Sequence, residues 1–185
     1  MAIPIVSLQA NLSVGETHTL KFVDVDGNTL STVDGHITVI VLTTRADLPK
    51  AQAVGDRIPD LCLGNPAYRM ITLVKFGQHS ATLANFMTRM ARRRLDAEGK
   101  RLQIRYDAHK IVRDARHDVF AVADFDGSVV SQLDSGSTLF RVFVFSRTGE
   151  LLKQWDDVPE AADLEAVVAS LSRGAGESRH GGRAP

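Results

Sequence analysis

Residues 37–42, Ile37-Thr38-Val39-Ile40-Val41-Leu42, form the longest apolar run of the chain, with Thr38 as its single polar member. A β-branched run without alternation is what a strand buried on both faces requires, and parallel sheets bury their strands that way. Two runs of similar character follow, Met70-Ile-Thr-Leu-Val-Lys-Phe76 and Val119-Phe-Ala-Val-Ala123. A fourth, Phe140-Arg-Val-Phe-Val-Phe145, leads through the Thr148-Gly149 turn into Leu151–Trp155 and reads as a hairpin.

The segments between these runs carry helix signals. Asp47 is placed to N-cap a helix with Pro49 in its first turn, running to about Asp56 and ended by Pro59. Ser80 is placed to cap a longer helix in which Leu83, Phe86, Met87, Met90, Arg94 and Leu95 recur at helical spacing. Gly99 is expected to break or bend it, leaving a second basic helix from Leu102 to about Ala115. Asp126-Gly127 turns into a short helix ending near Leu133, and Pro159–Leu171 reads as a closing helix. Upstream, His18–Asp26 reads as a strand, Asp26-Gly27-Asn28 as its turn, and Thr29–Thr32 as the return. Strands alternating with helices predict an α/β sandwich of three layers, helix–sheet–helix. Its central sheet is mixed and a β-hairpin precedes it. One domain spans residues 1–172. Residues 173–185, rich in Gly, Arg, Ser and His, read as a disordered tail.

The composition sets limits on function. Hydrophobic residues at 44% and charged residues at 24% belong to a globular chain. No apolar run approaches the roughly 20 residues of a membrane span. The opening residues show no basic, apolar export signal, which leaves cytoplasm and periplasm both open. The one cysteine, Cys62, excludes an intrachain disulfide, a Cys-x-x-Cys pair and a cysteine zinc cluster. The net charge of zero is unevenly spread. Residues 82–117 hold ten Lys/Arg against four Asp/Glu, and the rest of the chain twelve against eighteen.

The order of elements resembles the thioredoxin-like superfamily, in particular its redoxin or peroxiredoxin-type branch. Local phrasing is similar too: Val14-Gly15-Glu16, then Phe22-Val-Asp-Val-Asp-Gly-Asn-Thr-Leu30 and Gly35 before an apolar strand. Asp124-Phe-Asp-Gly127 with its short helix, then Phe143-Val-Phe-Ser-Arg-Thr-Gly149-Glu, resembles the closing half. The likeness runs over about residues 14–172. It implies a redox centre opening the helix after the first core strand, where a helix N-terminus stabilises a thiolate. Here that junction reads Leu42-Thr-Thr-Arg-Ala-Asp-Leu-Pro49, without a cysteine. The family's cis-proline before the later strand is replaced by Thr138-Leu-Phe-Arg-Val142. The resemblance therefore implies the fold without its thiol chemistry, a binding or interaction module. Its old active-site rim would be lined by Thr43, Thr44, Arg45 and Asp47, with Phe140 and Arg141 opposite. The partner, a protein or a small molecule, is not named by the sequence, and no cofactor motif accompanies the rim.

Two enzymatic readings compete. Asp24-Val-Asp26-Gly and Asp124-Phe-Asp126-Gly imitate the Asp-x-Asp-Gly signature of Mg²⁺-dependent haloacid-dehalogenase-type phosphatases. Only about ten residues separate Asp26 from the next core strand, however, too few for a parallel crossover, so a turn is expected. Cys62 alone could serve a one-cysteine peroxidase, but Leu61 and Leu63 flank it, and a buried filler is the simpler reading. The basic stretch from Arg89 to Arg116 offers only Tyr106 for base stacking beyond Phe86, so it reads as a solvated helix face rather than a nucleic-acid site. The six histidines show no i, i+4 metal-binding pair around a carboxylate.

Overall fold

The computed structural model describes residues 12–76, 81–133 and 140–177. The expected cap Ser80, Thr138 and Leu139 before the fourth run, and residues 178–185 of the expected tail lie outside the described residues.

The first described elements are β1 (Lys21–Val23) and β2 (Thr29–Ser31), paired antiparallel across Asp24–Asn28 as the expected hairpin. The main sheet has five strands: β3 (Ile37–Thr44), β4 (Tyr68–Lys75), β5 (Val119–Asp124), β6 (Arg141–Phe145) and β7 (Leu151–Trp155). Their spatial order is β5-β4-β3-β6-β7. β3–β4 and β4–β5 are parallel, while β3–β6 and β6–β7 are antiparallel. The mixed sheet expected from the sequence is present, and the run at 37–42 lies at its centre. Its neighbours are in register, Val41 beside Thr72 on one side and beside Val142 on the other.

Burial of both faces of β3 sets the layers. Ile40 and Leu42 join Ile71, Leu73, Val122, Phe143 and Phe145 on one face. The β1–β2 hairpin covers that face with Leu20, Phe22 and Leu30, and the short helix α3 (Val130–Leu133) covers it with Val130 and Leu133. Val39 and Val41 join Val142 and Val144 on the other face. There they pack on Ala51 and Val54 of α1 (Leu48–Asp56) and on Leu164 and Val168 of α4 (Ala161–Glu177). Burying each of these aliphatic side chains is worth roughly 1.5–3 kcal/mol.

The structure differs from the sequence reading in three places. Helix α2 (Ala81–Ala108) runs unbroken through Gly99, so there are not two helices. Gly99 is there for close approach. A Cβ at this position would lie 3.0 Å from Cα of Arg116, which belongs to the 3₁₀ turn Ala115–Asp118 packed against the helix. The helix stops near Lys110, whose positive φ of 58° leaves the right-handed helical region. The second difference is at β5, which is an edge strand. Val25 donates to the Ala121 carbonyl at 2.9 Å and so covers part of that edge. The third is at α4, which continues to Glu177, so residues 173–177 of the expected tail are helical. Extending a helix already anchored by Leu164 and Val168 fixes one residue per added hydrogen bond.

One ion pair, between a buried arginine and a partly exposed aspartate, fastens the hairpin to the sheet. Arg69 on β4, with its side chain 4% exposed, donates to both carboxylate oxygens of Asp34 at 2.9 and 3.0 Å. It also donates to the Ser31 carbonyl at 2.7 Å and to Thr38 Oγ1 at 3.2 Å. Burial alone would raise the Asp34 carboxyl, but hydrogen bonds from Arg69 and His36 outweigh it and bring the group from 3.8 down to about 2.

Three outcomes follow. A depressed folded-state pKa contributes stability above the unfolded value and loses it as protons bind the native carboxylate. This contribution should therefore be complete above about pH 4 and disappear as pH falls toward 2. Asp34→Ala, which leaves the buried Arg69 guanidinium with only the Ser31 carbonyl and the Thr38 hydroxyl, should cost about 1–3 kcal/mol in urea unfolding at pH 7, and Arg69→Met clearly less. Gly99→Ala should destabilise by about 1–3 kcal/mol despite alanine's better helix propensity, because Arg116 cannot retreat. A rise in melting temperature would contradict that contact.

Candidate functional site

The junction between β3 and α1 is where the sequence placed the rim. β3 ends at Thr44, and α1 begins at Leu48 with Pro49 in its first turn. Thr44 Oγ1 donates to Asp47 Oδ2 at 2.8 Å, so these two side chains satisfy each other. Asp47 also accepts, through its backbone carbonyl, from Lys50 N at 2.9 Å and Ala51 N at 3.2 Å. Antiparallel pairing of β3 with β6 sets Leu42 opposite Arg141, which brings the start of β6 beside the same junction. Lys50 Nζ stands 5.4 Å from the centre of the Phe140 ring, a cation–π contact from the first turn of α1 to the residue preceding β6.

The six expected rim residues are thus gathered by the fold, in two different roles. Thr43 is fully buried and Phe140 is 4% exposed within the α1/α4 core, so both support the rim from below and neither can touch a partner. Thr44, Asp47 and Arg141 are partly exposed, and Arg45 is exposed. Arg141 is held by Asp156 at 2.9 Å. Arg45 reaches no carboxylate among the described residues. Sequence reasoning missed Lys50, whose signal would have been its place one turn into a helix facing an aromatic strand.

Cys62 lies elsewhere. It ends the 3₁₀ turn Asp60–Cys62 beyond the C-terminal end of α1. The nine residues of α1 put it roughly 13 Å of helix away from the junction. Burial pushes its thiol up to about 12, against a small opposing pull from the Arg105 charge. Its neighbours are the apolar side chains of the α1/α4 core.

The two Asp-x-Asp-Gly segments are turns. Asp24 lies in the β1–β2 turn, where one oxygen accepts from Asp26 N at 3.0 Å and Asn28 N at 2.7 Å, and the other from Asn28 Nδ2 at 2.9 Å. Asp124, 1% exposed, accepts from Gly127 N at 2.9 Å and Val130 N at 2.8 Å and so fixes the entry to α3. Both carboxylates are spent on closing their own turns, and Asp24 stands beside a hairpin turn rather than at the end of a parallel strand. The phosphatase reading fails on that geometry.

Much of the basic stretch is internally paired, so it is not simply a solvated face. Arg116 bridges Asp96 at 2.8 Å and Asp26 at 2.7 Å. Arg92 Nε donates to the Val25 carbonyl at 2.7 Å. Arg113 pairs with Asp118 at 2.7 Å, and Arg101 pairs with Asp56. Arg105 reaches Asp60 at 3.0 Å and the carbonyls of Gly55 and Ile58 at 3.1 and 3.0 Å.

No family model matches the sequence, and no curated protein matches it. Solved structures match the fold. A candidate thioredoxin from Neisseria meningitidis aligns with a TM-score of 0.55 and 12% identity over 92% of this chain and 100% of its own. A candidate protein disulfide isomerase from Bacteroides thetaiotaomicron gives 0.56 and 12% over 91% and 96%. A thioredoxin-like protein from Aeropyrum pernix gives 0.51 and 17% over 82% and 89%. The fold is thioredoxin-like, and the chain carries it with one cysteine.

With its thiol at about 12, Cys62 should be almost wholly protonated at pH 8, a thiolate fraction of ~10⁻⁴. Alkylation by iodoacetamide should be far slower in the native protein than in 6 M urea. Equal rates in the two conditions would show an open, ionised thiol.

Proposed function

We propose that this domain is a binding module that uses the thioredoxin-like fold without thiol redox chemistry. Its recognition surface is the rim formed by Thr44, Arg45, Asp47 and Arg141, with Thr43 and Phe140 as its buried support. The observation that carries this reading is the β3–α1 junction. The position at which a thiolate would draw on the helix N-terminus is occupied by a threonine and an aspartate bonded to each other. An aspartate there repels a thiolate, and the sole thiol lies past the other end of the helix, where the dipole disfavours negative charge. Disulfide exchange needs a thiolate to attack and a second thiol to release the mixed disulfide. The chain supplies neither at this junction.

A one-cysteine peroxidase needs an accessible, largely ionised thiol, and the half-buried, high-pKa Cys62 meets neither condition. What the junction retains is an exposed guanidinium beside hydroxyl and carboxylate groups, a surface suited to polar or anionic groups of a protein or small molecule.

The test is enzymatic. The protein should not accelerate insulin reduction by dithiothreitol. Its peroxide consumption with an external thiol should equal that of Cys62→Ser. Peroxide reduction orders of magnitude faster than free cysteine, abolished by Cys62→Ser, would make the protein a peroxidase and end this reading.

A further inference from the structure

β4 lies inside the sheet, between β3 and β5, yet only one of its faces is sealed. Ile71 and Leu73 are fully buried beneath the hairpin and α3. On the other face Tyr68, Met70 and Thr72 are only half-buried. An interior parallel strand ordinarily buries both faces, so this one has lost part of its cover.

The cause is the way α2 is attached. Its C-terminal part is fastened to the far end of α1 by Arg101–Asp56 and by the bonds of Arg105 to Gly55, Ile58 and Asp60. Tyr106 adds a link, donating to Asp118 at 2.8 Å while accepting from Gly64 N at 2.9 Å. Near its middle Leu95 packs on Ala121 of β5. Toward its N-terminal end no such link to α1 exists among the described residues. The two helices leave between them a cavity of about 730 Å³ floored by Met70, Thr72 and Val74. Its α2 wall is Phe86, Met87 and Met90, and its α1 wall includes Leu48 and Ala51. Phe86 is 60% exposed and Met90 51%. The lining is predominantly apolar, and the volume falls within the range of small-molecule sites. Methionine side chains adapt to irregular apolar chains.

The charged groups around this cavity are of one sign where they are unengaged. Arg93 and Arg94 on α2 and Arg45 at the rim all line it, and none pairs with a carboxylate among the described residues. The nearby Glu98 is approached by Arg101 at 3.9 Å, and Asp56 is also taken by Arg101. An apolar trough with guanidinium groups beside it that meet no carboxylate among the described residues complements a molecule with a hydrocarbon tail and an anionic head.

We propose that the trough between α1, α2 and β4 binds a single-chain fatty carboxylate. The tail lies over Met70 and Thr72 against Phe86, Met87 and Met90, and the carboxylate is held by Arg93 and Arg94. This rests on the binding-module reading and gives it a ligand class, the rim residue Arg45 standing at the edge of the same trough.

Calorimetric titration of the full chain with myristate, below its aggregation concentration, tests the assignment. Tetradecyltrimethylammonium, with the same tail and the opposite charge, is the control. Myristate should bind about tenfold or more tightly than the cation. Arg93→Gln with Arg94→Gln should remove that preference and leave binding of the cation in place. Met90→Asp, a change at an exposed position that should leave the melting temperature unaltered, should abolish myristate binding. Equal affinities for the two amphiphiles, or myristate binding indifferent to Met90→Asp, would overturn the proposal. So would a wild-type dimer by light scattering that ignores myristate and dissociates in Met90→Asp, since a second copy would then be the occupant. Any of these results leaves the thiol assays, and with them the redox-inactive reading, untouched.

Discussion

Everything in this molecule is arranged around the requirement that β3 be covered on both faces. A strand whose eight residues are buried except at the last one cannot be left facing water, because exposing its aliphatic side chains, at roughly 1.5–3 kcal/mol each, would cost about as much as the whole stability of a typical domain. It therefore needs a hydrogen-bonding neighbour on each side and a packed layer above and below. The parallel partner β4 and the antiparallel partner β6 supply the first. The hairpin with α3 on one face, and α1 with α4 on the other, supply the second. The Arg69–Asp34 pair belongs to the same requirement, since it fixes the hairpin as a lid on a sheet to which it contributes no strand.

The coverage is uneven, and the unevenness has a physical origin in α2. A 28-residue helix is about 42 Å long, longer than the eight-residue strand β4 beside it, at about 27 Å. It cannot match the strand along its whole length. Its polar attachments gather toward its C-terminal end and around the Arg116 turn. There Gly99 allows close approach and three acids, Asp26, Asp56 and Asp96, receive arginines. Held at one end, the helix leaves the Met70–Thr72 face of β4 partly open. About half of the basic residues that set 82–117 apart from the rest of the chain serve internal cohesion. Of the arginines left over, Arg93 and Arg94 lie beside the open face.

The strands were legible because each is a short run of one residue character, and burial on both faces removes the ambiguity of register. The hairpin and the α1 boundaries were legible because Asp-Gly-Asn and Asp-x-Pro have few alternative geometries. Gly99 misled, because an interior glycine signals weakness by propensity alone, and its real partner, Arg116, lies seventeen residues away beyond the end of the helix. The edge position of β5 could not be read, since Phe120 and Val122 look as apolar as the central run and the capping by Val25 is long-range. The six residues expected at the rim do lie around the β3–α1 junction, but the burial of Thr43 and Phe140 was invisible, because a fully buried strand has no alternation to mark which side chains reach solvent. The trough draws its lining from α1, β4, β5 and α2, so no single stretch of sequence carries its signature.

None of the groups that stabilise the junction is a thiol. The Thr44–Asp47 bond closes the loop, the Asp47 carbonyl receives the first amides of α1, and Lys50 on Phe140 ties the helix to β6. A cysteine introduced at Thr44 would meet the Asp47 carboxylate at hydrogen-bonding range, and like charge would hold the thiol protonated despite the helix N-terminus behind it. The junction is therefore more than a redox site lacking its sulfur. Its electrostatics have the opposite sign to what a thiolate needs, with the anion already in place and a cation, Arg45, beside it free to meet something else.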